Sequence, residues 1–218
     1  MSICVLLPTY NEAGSIKEMI ERVRKVDPGF AIYVVDSGST DGTVNIAKEA
    51  GAKIIILEKR GKGIAIKEAF EKIDDDLAIL LDSDASYLPE EIPILLKALE
   101  TCDVVVGSRF RGKIEEGSMK PLNRMGNRML TSLGNLLYGK GNSDLCSGFW
   151  GFSKKAYKSM IIDAPHFELE ANFFAESAKR KLRFCEVPIT YGVRQGETKL
   201  SPMHGLNIGL YLVLKRFR

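Results

Sequence analysis

Short, unbroken apolar runs alternate with amphipathic stretches through the first hundred residues. The runs at 3–7, 31–35, 52–57, 77–81 and 103–106 are rich in Ile, Val and Leu and lack polar alternation. Such runs read as strands covered on both faces. The stretches 15–26, 43–50, 64–73 and 90–99 carry apolar residues at helical spacing. Asp41 is placed to cap the second helix and Gly51 to end it. Strand alternating with helix predicts an α/β, Rossmann-like parallel sheet. Beyond residue 108 the pattern loosens: helix at 122–138, strand at 147–153, helix at 169–181, strand at 184–193, a polar loop, and an apolar tail with a basic end. Without a Pro/Ser linker or internal repeat, residues 1–218 read as one domain.

In an open α/β sheet, ligands collect beyond the carboxyl ends of the strands. Five polar loops should converge there: PTYNEAGS, DSGSTDGT, EKRGKG, DSDASY and GSRFRG. The fourth carries Asp82 and Asp84 where a buried strand stops. Alternate residues of a strand point the same way, with Cα atoms about 6.5 Å apart. Asp84 then suits a hard cation such as Mg²⁺ or Mn²⁺, with water and a diphosphate completing its shell, while Asp82 assists or holds a ribose hydroxyl.

The net charge of +3 conceals an asymmetry. Residues 1–108 hold 12 Lys/Arg against 19 Asp/Glu, a net of −7, and residues 109–218 hold 19 against 9, a net of +10. An acidic half suits a metal, and a basic half suits phosphates or an anionic lipid surface. The four cysteines are far apart without a Cys-x-x-Cys pair, so buried, reduced thiols in a cytoplasmic protein are expected. No apolar run nears the roughly 20 residues of a membrane span, and no basic-then-apolar leader opens the chain, so it is expected to be neither exported nor spanning.

The motifs PTYNE (8–12), VVDSGSTDGT (34–43), GKG (61–63), DSD (82–84), GSRF (107–110), SGF (147–149) and RQGETKLS (194–201) follow one another in an order similar to that of family 2 glycosyltransferases. The chain most resembles the polyprenyl (dolichyl) phosphate mannosyl- and glucosyltransferases, over nearly its whole length. That resemblance implies a GT-A fold with a mixed, mostly parallel central sheet, and inverting transfer of a hexose from a UDP- or GDP-hexose to a lipid phosphate. It assigns 1–108 to the nucleotide sugar, 109–202 to the acceptor and 203–218 to an interfacial helix. Pro8, Tyr10, Glu12 and Asp36 would hold base and ribose, Asp82 and Asp84 the metal, and Arg109 phosphate. Arg194 and Lys199 would engage the acceptor phosphate, a task suited to guanidinium geometry. Lys62 joins the substrate-binding set, and Arg124 and Arg128, four residues apart on one helix face, are candidates for the lipid phosphate. Ser86 stands where those enzymes commonly carry an amide.

A phosphate acceptor is already anionic near neutral pH and can attack without a strong base, whereas a sugar hydroxyl needs one. Glu170 is a candidate base; Glu168 reads as a helix N-terminal charge. The enzymatic alternative is a transferase adding sugar to a hydroxyl of a glycan or sugar-lipid. A dinucleotide oxidoreductase is disfavoured because GKGIAI lacks the last glycine of its motif. A nucleotide or membrane-surface binding module without catalysis would leave the acidic crevice unexplained, and no aromatic interleaving suggests nucleic acid. The tail 203–218, ending in Lys215, Arg216 and Arg218, would lie at a cytoplasmic membrane surface or pack on the domain.

Overall fold

A computed structural model describes residues 1–57, 60–196 and 202–217. Its strands are β1 (Ile3–Thr9), β2 (Ala31–Asp36), β3 (Lys53–Ile56), β4 (Leu77–Leu81), β5 (Val104–Ile114), β6 (Phe149–Ser153) and β7 (Phe184–Tyr191). They form one sheet in the order β3-β2-β1-β4-β6-β5-β7. β1 to β4 are parallel, β6 runs antiparallel to both β4 and β5, and β5 pairs parallel with β7. The sheet is therefore mixed and mostly parallel.

The helices are α1 (Ile16–Val26), α2 (Thr43–Glu49), α3 (Lys62–Lys72), α4 (Ile92–Leu99), α5 (Pro121–Tyr138), α6 (Lys154–Ser159), α7 (Leu169–Lys179) and α8 (Pro202–Phe217). Alternate strand residues enter two apolar layers. Cys4 and Leu6 of β1 join α3 and α7 on one face, while Val5 and Leu7 join α1 and α4 on the other. α1 buries Ile16, Met19, Ile20 and Val23, the stripe its spacing predicts. All five residues of β4 are buried. Asp41 sits one residue before the α2 cap, its Oδ1 accepting from the Thr43 N–H and hydroxyl, and Gly51 follows the helix with φ +77°.

Two expectations are corrected. β5 continues to Ile114, far beyond residue 106, because its polar second half pairs with β7 across a register shift between Ser108 and Lys113. There Gly112 lies so close to β7 that a Cβ would meet the Ile189 carbonyl oxygen at 2.0 Å. The cysteines are not all free: Cys102 and Cys185 form a disulfide, and only Cys4 and Cys146 remain thiols. The β5–β7 register sets Val105 opposite Cys185 and brings its partner near, although 83 residues separate the two in sequence.

α8 packs on α5 and α7 through Ile208 and Leu212. Of the two placements expected for its basic end, packing on the domain is the one seen: Lys215 is buried and paired with Asp163 (2.8 Å) and Glu176 (3.0 Å), and Arg216 donates to the Leu137 carbonyl (2.8 Å). Leu206, Leu210 and Phe217 stay exposed, as do Met125, Met129 and Leu136 of α5. Among the described residues, no helix is long and apolar enough to cross a membrane.

Candidate active site

The loops after β1, β2 and β4 meet at the carboxyl end of the sheet around a cavity of about 260 Å³. The first two are zipped together: the Asn11 N–H donates to Ser39 Oγ (2.8 Å), the Glu12 N–H to Thr43 Oγ1 (2.9 Å) and the Ala13 N–H to Asp41 Oδ2 (3.0 Å). Pro8, Tyr10 and Glu12 line the cavity, and Arg60 stacks over the Tyr10 ring at 4.8 Å. Asp36, buried beside cavity-lining Ser37, accepts the Gly38 and Ser39 N–H groups on Oδ2 (2.9 and 3.0 Å). Its Oδ1 is buried with no hydrogen-bond partner among the described residues, a costly arrangement unless a ligand supplies a donor.

Asp82 and Asp84 both line the cavity. The chain turns after Asp84 through Ala85 at φ +61°, and Ser86 donates to Asp84 Oδ1 from both its N–H (3.0 Å) and its hydroxyl. Asp82 rests against β6's approach: a Cβ on Gly148 would lie 2.1 Å from Asp82 Oδ2, which explains the glycine of SGF. The donor set, hard carboxylate oxygens facing one cavity, fits a divalent cation. No group of three or more His, Cys, Asp or Glu among the described residues is spaced to hold a metal alone, so water and substrate oxygens would complete the shell.

Cations offset part of this acidic rim. Lys62, at the start of α3, bridges Asp82 Oδ1 (2.6 Å) and Glu170 Oε1 (2.5 Å) from α7. Burial pulls the Lys62 ammonium down, but Asp82 and Glu170 outweigh it and hold the pKa above its usual value. Burial raises the Glu170 carboxyl, with Lys62 opposing. Arg194 Nη2 lies 2.7 Å from Asp84 Oδ2. Arg109, 5 % exposed, binds Asp144 in bidentate fashion, Nε to Oδ2 and Nη2 to Oδ1 at 2.7 Å each, and Nη2 also reaches the Cys146 carbonyl (2.9 Å). Its Nη1 makes no hydrogen bond within the described residues, and the guanidinium lies 5.1 Å from the Tyr191 ring.

Of the residues singled out in the sequence, Pro8, Tyr10, Glu12, Lys62, Asp82, Asp84, Arg109 and Arg194 share the cavity, with Asp36 directly behind. Arg124 and Arg128 do not: they line a separate shallow groove on α5 with Met125 and Met129, and Arg128 stacks on Phe110 (5.5 Å). Their helical spacing put them on one face, as the shared groove bears out. Lys199 lies outside the described residues. Sequence reasoning missed Asp144, Tyr87, Cys146, His166, Phe167, Tyr191 and Ile208 as cavity or supporting residues. Tyr87 closes the DSDASY loop, Cys146 immediately precedes SGF, and Tyr191 lies three residues before Arg194.

A Rossmann-like sheet interrupted by an antiparallel strand, with an acidic pair at the end of β4, defines a GT-A glycosyltransferase. Residues 4–161 match the family described as glycosyl transferase family 2, and the chain belongs to that family. Glycosyltransferase AglJ of Haloferax volcanii is 36% identical over 220 residues, covering 99% of this chain and 71% of AglJ. The dolichyl-phosphate hexose transferase of the same organism is 32% identical, covering 93% of this chain and 88% of its own length. Among solved structures, glucosyl-3-phosphoglycerate synthase from Mycobacterium tuberculosis, in complex with Mn²⁺ and UDP-glucose, superposes with a TM-score of 0.77 at 23% identity, covering 99% of this chain and 78% of the synthase. That likeness is one of fold.

Proposed function

We propose that this glycosyltransferase transfers a hexose, with inversion, from a nucleotide diphosphate sugar to a polyprenyl phosphate. The observation that carries the reading is the composition of one cavity. Asp82 and Asp84, Arg194 paired to Asp84, and apolar Phe167 and Ile208 all line it. Acidic, cationic and apolar groups at one point suit a diphosphate, a phosphate and a hydrocarbon chain respectively.

Tyr10, Glu12 and Asp36 hold the base and ribose, and the unpartnered Asp36 Oδ1 is an acceptor for a ring N–H. Asp82 and Asp84 would hold Mg²⁺ or Mn²⁺, which would supply positive charge against the donor's diphosphate oxygens. Arg109, fixed by Asp144 and lining the cavity, would meet the leaving group with little reorganisation. Arg194 orients the acceptor phosphate. That phosphate carries its own negative charge, so attack on the anomeric carbon needs no proton removed.

The exposed apolar residues of α5 and α8, flanked by Arg124 and Arg128, suit contact with the cytoplasmic face of a membrane in which the acceptor lies. A second reading, transfer to a sugar hydroxyl, is favoured by Glu170, a cavity carboxylate whose pKa burial raises while Lys62 opposes. Labelled UDP- and GDP-hexoses offered with polyprenyl phosphate, and separately with a free glycan, distinguish the two. Product on the lipid phosphate supports the first reading, and product on the glycan alone overturns it.

A further inference from the structure

We infer that Arg194 is a stand-in for the metal ion at Asp84, holding that carboxylate until a cation displaces the guanidinium. The inference rests on the proposed assignment of Asp84 to the metal.

Both oxygens of Asp84 are committed. Oδ1 accepts from the N–H and hydroxyl of Ser86, two residues away on the same turn, while Oδ2 is held by Arg194 at 2.7 Å. Ser86 is wholly buried and cannot leave without remaking the turn. Arg194, with 22% of its side chain exposed, can. The backbone on either side of Arg194 is pinned to that turn, Gly192 N–H to the Ser86 carbonyl (2.8 Å) and Gln195 N–H to the Asp84 carbonyl (2.9 Å). Release is therefore a rotation of one side chain about a fixed backbone.

Charge drives it. Asp82, Asp84 and Glu170 against Lys62 and Arg194 leave the cluster one negative charge in excess. A divalent cation reverses that sign, and a guanidinium beside it is repelled at short range. Arg194 then stands free over the cavity. Before the cation arrives, the same guanidinium is occupied.

An ion pair closed about nine-tenths of the time would weaken metal binding about ten-fold, because only the open fraction is competent. Mn²⁺ titrations of the full chain without nucleotide, followed by electron paramagnetic resonance, read this directly. Arg194→Ala should bind Mn²⁺ about ten-fold tighter than the natural chain, and Arg194→Lys should fall between them. Arg60→Ala removes a cavity cation stacked on Tyr10 and should change the affinity by less than about two-fold. Equal or weaker binding by Arg194→Ala, or an equal gain in Arg60→Ala, overturns the inference and leaves the metal at Asp84. If Asp84→Asn binds Mn²⁺ as well as the natural chain, the metal assignment falls and takes the inference with it. Thermal melts confirm that each variant titrated is folded.

Discussion

Arg109 and Asp144 face each other as a bidentate pair, with Asp144 wholly removed from water and its Oδ2 also accepting the Arg109 backbone N–H at 2.9 Å. Removing one partner of such a pair strands a buried charge, whereas replacing both with apolar groups is often nearly neutral. Asp144→Ala should cost about 3–5 kcal/mol in urea denaturation. The double variant Arg109→Met/Asp144→Leu should lose less than Asp144→Ala while abolishing turnover. Additive losses would show that the two residues do not act as a unit.

Asp103 makes a second, peripheral pair, accepting Arg183 Nε (3.1 Å), Nη2 (2.9 Å) and N–H (2.9 Å). The Arg183 hydrogen bonds, opposed by burial, hold the Asp103 carboxyl down at about 2. A depressed carboxylate contributes stability above its unfolded pKa and loses it as pH falls through the folded one. The contribution is thus complete above about pH 5 and lost on the way down to about pH 2. Because Arg183 is largely exposed, solvent screening keeps that contribution small. Asp103→Asn should therefore be less stable than the natural chain at pH 6, and the gap should close by pH 2. A gap independent of pH would refute the ionic origin.

Gly148 is the close neighbour of Asp82. Gly148→Ala should push that carboxylate aside and lower turnover about 100-fold, the scale on which a displacement of about 1 Å acts. A melting temperature close to that of the natural chain would show the loss to be local. Unchanged turnover would mean that Asp82's position does not matter.

How much of this was legible before folding follows from the range of each signal. Strands such as β4, buried on both faces, announce themselves as unbroken apolar runs, and loops at their carboxyl ends must converge. Asp82 and Asp84 could be found that way. Asp144 could not, since nothing local in "GNSDLC" reveals that it lies beneath an arginine 35 residues earlier. The Cys102–Cys185 link and the polar half of β5 depend on pairing with β7, a contact between distant segments. For Arg124 and Arg128, helical periodicity told which face they share, and the structure adds that this face lines a groove of its own.

The exposed apolar residues of α5 and α8 predict vesicle binding. Met129→Glu and Leu210→Glu together should lower co-sedimentation with anionic liposomes about ten-fold or more, charged residues being costly at the acyl boundary. Nucleotide affinity should be untouched. Unchanged sedimentation would remove the membrane from the account.

The central claim is that Asp82 and Asp84 capture a cation which binds the donor's diphosphate. A crystal soaked with Mn²⁺ and a nucleotide diphosphate hexose tests it most directly through the anomalous signal of manganese. The account predicts a peak about 2.1 Å from a carboxylate oxygen of Asp84, bridged to the diphosphate, with Arg194 turned away. A diphosphate bound elsewhere, or a peak remote from both aspartates, would contradict it.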